Sequence, residues 1–184
     1  MKQYKQGVFF SDNFVGENSW NGYERKCLFA NIGNGQFIDI ARPTGSDGIR
    51  DGRGVAVADF NNDGRPDLFI NNNNAPPTLY LNEVTRSGNK VEIKLSGTRS
   101  NRDAIGARVK VVTNSKRTLY NHVTTSVGFM SSSDKRVHFG LGAETKIESV
   151  EIRWPSGITQ KIDHPKSDEI LKVDEPMEKV SAQQ

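Results

Sequence analysis

Four side chains that carry oxygen atoms lie within nine residues of the segment VAVADFNNDGRPDLFINNN: Asp59, Asn61, Asp63 and Asp67. Three kinds of chemistry use these residue types at this spacing, namely a metal-binding loop, a tight turn and a general acid/base pair. Gly64 directly follows the third side chain, and an apolar run lies on each side of the group. These runs predict two strands that present the four side chains on a connecting loop.

Calcium is the ion that this loop pattern favours. The oxygens would come from loop positions 1, 3, 5, 7 and 9, which are Asp59, Asn61, Asp63, the backbone carbonyl of Arg65, and Asp67. Calcium accepts about 6–8 such hard oxygen ligands, whereas the stricter octahedron of magnesium usually keeps several waters. An EF-hand is excluded, because its position 12 would be the apolar Ile70 instead of a bidentate glutamate.

Two other interpretations of the loop account for less of it. A plain β-turn explains the Asn-Asp-Gly sequence, which favours a tight bend, but it does not explain Asp59 or Asp67. Three carboxylates on one hairpin would repel one another without a cation, and a bound metal removes that cost. An acid/base pair needs a carboxylate that is free to carry a proton, which metal ligation prevents. We therefore expect a calcium site between two strands.

The rest of the chain has the pattern of an all-β protein. Short β runs are separated by turn signals, as in KCLFANI, GNGQ and FIDIA, and no segment of twelve residues keeps a helical period. Further strands are expected at GVAVADF, DLFINN, TLYLNEV, KVEIKLSG, ARVKVVT, RTLYNHVTT, RVHFGLG, IESVEIRWP and TQKID. In KVEIKLSG the alternation predicts a buried face with Val91, Ile93 and Leu95. Glu92 and Lys94 are expected on the opposite face.

Composition restricts the class of protein. An apolar fraction of 34% is low but compatible with a packed core in a chain of 184 residues. No run approaches the roughly 18 apolar residues of a membrane helix, and the first residues lack the apolar core of a secretory signal. We expect no membrane contact and, by default, a cytoplasmic location. The single cysteine, Cys27, excludes an internal disulfide and is expected to be a small apolar residue within a strand.

The net charge of +3 is unevenly distributed along the chain. Residues 86–117 contain nine Lys or Arg residues against only two acidic ones. Two interpretations are open. The charges form the solvated face of alternating strands, or they form a polyanion site that uses Arg99, Arg102, Arg108 and Lys110. No aromatic residue is interleaved with these charges, which argues against single-stranded nucleic acid as a partner.

A second polar group lies in the segment SNRDAIGARV. Asn101 and Asp103 have the donor atoms for a second ion, and Arg102 suits a phosphate or carboxylate. Alternatively, Asn101 and Asp103 cap a turn that leads into the next strand. His138 alternates with apolar neighbours, which favours a sheet histidine over a metal ligand. No histidine is placed by sequence to activate the hydroxyls of SSSD, so the catalytic residues, if any, are unknown.

Two parts of the chain resemble known domains. The segment SWNGYERKCLFANIGNGQFIDIARPTGSDGIRDGRGVAVADFNNDGRPDLFINN contains the loop D-x-[DN]-x-D-G-x-x-D and is similar to integrin-like FG-GAP repeats. The blocks GTRSNRDAIGARVKV, VGFMSSSDKRVHFGLG and SVEIRWPSGITQ follow in that order and resemble the ASPIC/UnbV domain of the cartilage acidic protein family. The resemblance divides the chain into an N-terminal extension (1–18), a repeat region (19–83), an ASPIC/UnbV-like β domain (84–163), and an edge strand with a disordered charged tail (164–184).

The resemblance implies a short, bacterial-type member of that family with an all-β fold. A partial, propeller-like FG-GAP region would be packed on or followed by a small domain that is like a β-sandwich or barrel. The implied cofactor is Ca²⁺, and the implied function is a non-catalytic module that binds a protein or glycan partner. The alternative is an enzyme or accessory protein of bacterial natural-product biosynthesis, of the enediyne type, with a site between the two β regions. Relatives are often exported, in contrast to the cytoplasmic default.

Open sheet edges are a further expectation. A repeat spacing of about forty residues is typical of a propeller blade, but only one such unit fits before residue 84. A single unit leaves strand edges unpaired, and proteins tend to cover such edges. We therefore expect either a homodimer that pairs the edges or an N-terminal segment that folds over them.

Overall fold

The computed structural model describes residues 24–84 and 88–177. Within these ranges the chain forms β-strands and no helix, which confirms the predicted all-β class. The strands are β1 (Phe29–Gly33), β2 (Gln36–Asp39), β3 (Gly52–Ala58), β4 (Asp67–Asn72), β5 (Thr78–Tyr80), β6 (Asn89–Ser96), β7 (Arg108–Thr113), β8 (Thr118–His122), β9 (Val137–Gly142), β10 (Ile147–Arg153), β11 (Thr159–Asp163) and β12 (Ile170–Asp174). No helix that could cross a membrane occurs in the described part of the chain.

The chain divides into two compact units. Among the described residues, the first contains 24–55 and 69–80, and the second contains 56–68, 81–84 and 88–177. Strands β3, β4 and β5 form a three-stranded sheet in that order, and β3 and β4 are the apolar runs predicted on either side of the acidic segment. The acidic segment itself belongs to the second unit.

The first unit contains a short hairpin. Strands β1 and β2 pair antiparallel, with Phe29 opposite Asp39 and Asn31 opposite Phe37. Asn34 and Gly35 take positive φ values of 51° and 72° in the turn, which asparagine and glycine adopt readily. The predicted GNGQ turn is therefore confirmed.

The prediction for Cys27 was wrong. This residue precedes β1 instead of lying within a strand, and its side chain is exposed. Pairing stops because the hairpin is short: the amide of Leu28 donates to the Asp39 carboxylate at 3.1 Å rather than to a strand partner. Cys27 thus lies outside the β1–β2 ladder.

The second unit contains a two-layer β-sandwich. One sheet has the order β11-β10-β7-β8, and the other has the order β12-β6-β9. Residues from both sheets form one buried cluster that includes Val91, Ile93, Leu95, Val109, Val111, Phe139, Leu141, Val150, Ile152 and Trp154. Alternate residues of each strand face this shared core, as expected of two packed sheets. The predicted buried face of KVEIKLSG is confirmed.

Glu92 lies on the opposite face of the same strand, as expected, and is nevertheless buried. Its side chain points away from Val91 and Ile93, yet the residue is only 3% exposed. The residues that lead into β9 cover it, and Arg136 from this segment donates to its carboxylate at 3.0 Å. Alternation along one strand predicts which side a residue occupies, but it does not predict what covers that side.

Strand β12 is an edge strand of the β12-β6-β9 sheet. It runs parallel to β6, with Leu171 opposite Ile93 and Val173 opposite Leu95. The predicted N-terminal extension (1–18) lies outside the described residues, as does most of the predicted disordered tail, residues 178–184.

Candidate functional site

The acidic loop, residues 59–67, connects β3 to β4. Strand β3 ends at Ala58, and β4 begins at Asp67. Asn62 and Gly64 have φ values of 56° and 77°, the left-handed conformation that suits asparagine and glycine. These two residues turn the chain sharply enough to bring Asp59 and Asp63 together.

Asp67 is the anchor of the loop. It is completely buried, and its two oxygens accept hydrogen bonds from the backbone N–H of Phe60 at 2.9 Å and of Asn82 at 2.8 Å. One carboxylate therefore ties the start of the loop to the segment that follows β5. A buried carboxylate needs such donors, because burial without them costs several kcal/mol.

Asp59 organises the turn in the same manner. Its carboxylate accepts from the N–H of Asp63 at 3.0 Å and of Gly64 at 2.6 Å, and the residue is buried. Each carboxylate offers about four lone-pair sites, so two hydrogen bonds leave acceptor capacity on Asp59.

Asp63 interacts with neighbours inside the loop. Its oxygens accept from the N–H of Arg65, from the Arg65 guanidinium and from the Asn61 amide. Burial opposes ionisation of Asp63. The hydrogen bonds from Arg65 and Asn61, with the charges of Arg65 and Lys90, outweigh burial and hold its pKa below the usual value. Asp63 is thus an anion at neutral pH.

Two further cations reach the loop from the sandwich. The Lys90 ammonium donates to the carbonyl of Asp63, and the Arg136 guanidinium donates to the carbonyl of Asp59 at 3.3 Å. A Cβ atom at Gly64 would lie 1.6 Å from Lys90 Nζ, so the glycine also makes room for this lysine. Positive charge from the protein itself therefore offsets part of the repulsion among the loop carboxylates.

The chemistry of the donor set suits calcium, since all five predicted ligands offer hard oxygen atoms. In the described ranges, however, no three Asp, Glu, His or Cys side chains form a group arranged to hold a metal ion. The loop carboxylates point toward backbone N–H groups and toward Arg65. The calcium site remains a prediction.

The anchoring role of Asp67 predicts a loss of stability that does not depend on a metal. Asp67→Asn replaces an acceptor oxygen with an NH₂ group that faces a buried backbone donor, so we expect a loss of about 2 kcal/mol. Urea unfolding of both proteins in EDTA measures it. Asp163→Asn is the matched control, because Asp163 and its partner Lys161 are both exposed and exposed ion pairs contribute little to stability. Equal stabilities of the two variants would contradict the anchoring role.

The second polar group lies in a turn before β7. The Asn101 side chain accepts from the N–H of Ile105 at 2.8 Å and donates to the Ile105 carbonyl at 2.9 Å. Asp103 pairs with Lys135 and Arg102, and Arg102 itself is largely exposed. Asn101 thus uses both ends of its amide within the turn, whereas Asp103 points to a neighbouring lysine.

Arg136 is a connecting residue that sequence analysis missed. Its guanidinium contacts three acceptors: the buried Glu92, Asp134 and the carbonyl of Asp59. His138 lies beside the same group, 3.9 Å from Glu92 and 3.8 Å from Asp134, and its Nε2 makes no hydrogen bond to the described residues. These contacts join the acidic loop to strands β6 and β9. No local pattern signals this role, because the partners lie 44 and 77 residues away.

Glu175 is a second residue that sequence analysis missed. Its carboxylate accepts from three consecutive backbone N–H groups, those of Thr98, Arg99 and Ser100, and from the hydroxyls of Ser100 and Ser156. Burial opposes ionisation, but these donors prevail and lower the pKa to about 2. The polar loop after β6 is therefore folded around an internal anion, in the manner of a backbone nest.

The exposed thiol of Cys27 is not activated. Partial desolvation and the neighbouring Asp39 carboxylate raise its pKa. A raised pKa reduces the thiolate fraction, which is the nucleophilic form. The geometry therefore offers no support for thiol catalysis at this position.

Comparison with known proteins agrees with this architecture. Residues 97–180 match the family described as ASPIC and UnbV, residues 11–70 match the FG-GAP-like repeat, and residues 52–89 match the FG-GAP repeat. The fold and the acidic loop thus define a β protein in which FG-GAP-type repeats precede an ASPIC/UnbV domain. Parts of this chain are therefore similar to the cartilage acidic protein family.

Three curated relatives illustrate the relationship. The chain is 47% identical to cartilage acidic protein 1 of Xenopus tropicalis and of Mus musculus over 73 residues, which is 39% of this chain and 10% of each relative. It is 44% identical to cartilage acidic protein 1 of Homo sapiens over 77 residues, which is 41% of this chain and 10% of the relative. The match therefore spans about a tenth of the length of these relatives.

Proposed function

We propose that this chain is a calcium-binding, non-catalytic β module that interacts with a protein or glycan partner. The observation that carries the proposal is the sequence of the acidic loop, in which three carboxylates and an amide fall within nine residues between strands β3 and β4. Asp59, Asn61, Asp63, the carbonyl of Arg65, and Asp67 would hold the ion, which would supply positive charge and cross-links within the loop. The ion would compete with the Arg65 guanidinium for Asp63.

Exposed apolar side chains support the interaction part of the proposal. Phe129 and Met130 are 81% and 86% exposed at the tip of the segment between β8 and β9. On the hairpin of the first unit, Phe29 and Phe37 are also exposed. Grouped apolar residues at a surface are typical of interaction sites. Among the described residues, the short sheets end in edge strands with one unpaired side, which supports a homodimer that pairs these edges. Light scattering across a concentration series tests whether the dimer forms.

Calcium is expected to stabilise the protein. Ligand at 100 times its dissociation constant adds about 2.7 kcal/mol, which corresponds to a rise in Tm of roughly 5–10 °C for a domain of this size. The measurement is thermal unfolding in EDTA and in millimolar calcium. Equal Tm values in the two buffers would contradict the proposal.

Two variants separate calcium ligation from general effects of charge. Asp63→Asn removes a predicted ligand that is not one of the buried anchors, so it should abolish most of the calcium-dependent rise in Tm. Asp163→Asn removes one acidic charge outside the loop and should keep the full rise. A rise that is the same in both variants would place calcium elsewhere.

A further inference from the structure

The outer face of the four-stranded sheet gathers basic side chains from three strands. Arg108 lies directly opposite Arg153 on one side and His122 on the other. In the next row, Lys110 lies opposite Glu151 and Tyr120. These side chains line a shallow cavity of about 570 Å³. We call this surface the basic face; it is defined by Arg108, Lys110, Tyr120, His122, Glu151 and Arg153.

Two arginines of the basic face have no anionic partner among the described residues. Like charges at directly paired strand positions destabilise a sheet, and Arg108 and Arg153 are such a pair. Neither arginine forms an ion pair with any residue of 24–84 or 88–177. Lys110 lies 3.9 Å from Glu151 across solvent-exposed surface, where ion pairs are weak. Uncompensated paired arginines suit an external oxyanion, which their planar guanidinium groups bind through two hydrogen bonds.

We propose that the basic face binds an acidic polysaccharide. Its sulfate or carboxylate groups would lie between Arg108 and Arg153, and a sugar ring would pack on Tyr120, which is 74% exposed. This inference rests on the proposed function, because it names the partner of the interaction module.

The chemistry of the basic face favours a glycan over other polymers. Protein interfaces have cores depleted in charge, whereas this surface is charged at its centre. Single-stranded nucleic acid is held by successive aromatic platforms, whereas the cavity lining contains Tyr120 as its aromatic residue. The class of partner that suits this surface is therefore a flexible, hydrated polyanion whose sugar rings have aliphatic faces.

The test measures binding of a fluorescent heparin oligosaccharide by anisotropy, at about 0.1 M salt so that charges beyond about 10 Å are screened. The double variant Arg108→Gln with Arg153→Gln should bind roughly tenfold more weakly than the unaltered chain, since exposed ion pairs contribute a few-fold each. Its salt dependence, as log K against log salt, should become shallower by about 1.4–1.8 for the two lost contacts. Tyr120→Ser should weaken binding without changing that slope.

The control is Lys116→Gln with Lys166→Gln, which removes two exposed positive charges outside the basic face and should leave binding within about twofold. Three results would overturn the proposal. The unaltered chain does not bind heparin, or the control variant loses as much heparin affinity as the Arg108 and Arg153 variant. The third is that the unaltered chain binds oligothymidylate as tightly as heparin and the Arg108 and Arg153 variant loses both. The calcium-dependent rise in Tm is recorded on the same preparations. A rise without heparin binding would mean that the glycan proposal fails while the calcium proposal holds.

Discussion

Replacing Arg136 with methionine is expected to destabilise the second unit by about 3–5 kcal/mol, the range typical of breaking one side of a buried ion pair. Arg136 is the cation that contacts Glu92, whose side chain is 4% exposed. Without the guanidinium, Glu92 would remain buried beside Asp134 with no opposite charge. The same change removes the hydrogen bond to the Asp59 carbonyl, so the acidic loop should lose its attachment to β9 as well.

Urea unfolding of single and double variants measures this effect. Arg136→Met combined with Glu92→Met replaces both charges with apolar groups of similar size and should recover most of the lost stability. Lys116→Met is the control for an exposed pair: Lys116 and Glu148 are 73% and 34% exposed, so it should cost much less than Arg136→Met. A loss below about 1 kcal/mol for Arg136→Met would mean that water solvates Glu92 adequately.

Glu175 is expected to make the protein sensitive to acid. The group has a pKa of about 2 in the folded chain and an ordinary value of 4.5. A group with a depressed folded pKa stabilises the fold fully above its unfolded pKa. Glu175 should therefore contribute its full stability above about pH 4.5 and lose it progressively as the pH falls toward 2. The shift corresponds to about 3 kcal/mol, and screening by nearby solvent reduces this to about 2 kcal/mol.

Substitution isolates the contribution of Glu175. Glu175→Gln removes the negative charge that three backbone donors and two hydroxyls surround, so it should lose about 2–3 kcal/mol at neutral pH and show a flatter acid limb between pH 4.5 and 2. Glu169→Gln is the matched control, because Glu169 is 62% exposed and has only a 3.5 Å contact with Lys166. Unfolding free energies measured from pH 2 to 7 give the comparison. Identical acid limbs for the two variants would refute the role of Glu175.

The local features of the fold were predictable from the sequence. Each predicted strand segment overlaps an observed strand. Strands are predictable because apolar alternation and turn residues are local signals that extend over only a few positions of the sequence. DLFINN coincides with β4, and RVHFGLG contains β9. The strand prediction for Cys27 was wrong because a strand also needs a partner. The residues around Cys27 have a strand-like sequence, but the pairing of β1 with β2 begins only at Phe29.

The contacts that carry the largest energies were not predictable. By alternation, Glu92 lies on the face of β6 opposite the apolar residues. It is buried because a distant segment of the chain covers that face. Glu175 sits in a charged tail by composition, yet it organises a loop 75 residues earlier in the chain. The basic face has a similar origin: the stretch 86–117 has no aromatic residue, but strand pairing places Tyr120 beside Lys110.

By itself the sequence determined the all-β class, the order of the strands, the acidic loop with its turn at Gly64, and the relationship to the cartilage acidic protein family. These features depend on side-chain periodicity, turn chemistry and motif spacing, which are local. Only the tertiary structure decided which charges are buried and paired, as at Arg136 and Glu175, and which remain uncompensated, as at Arg108 and Arg153. The physical reason is that the energy of a charge depends on its solvation and on its neighbours, and both are set by residues far away in the chain.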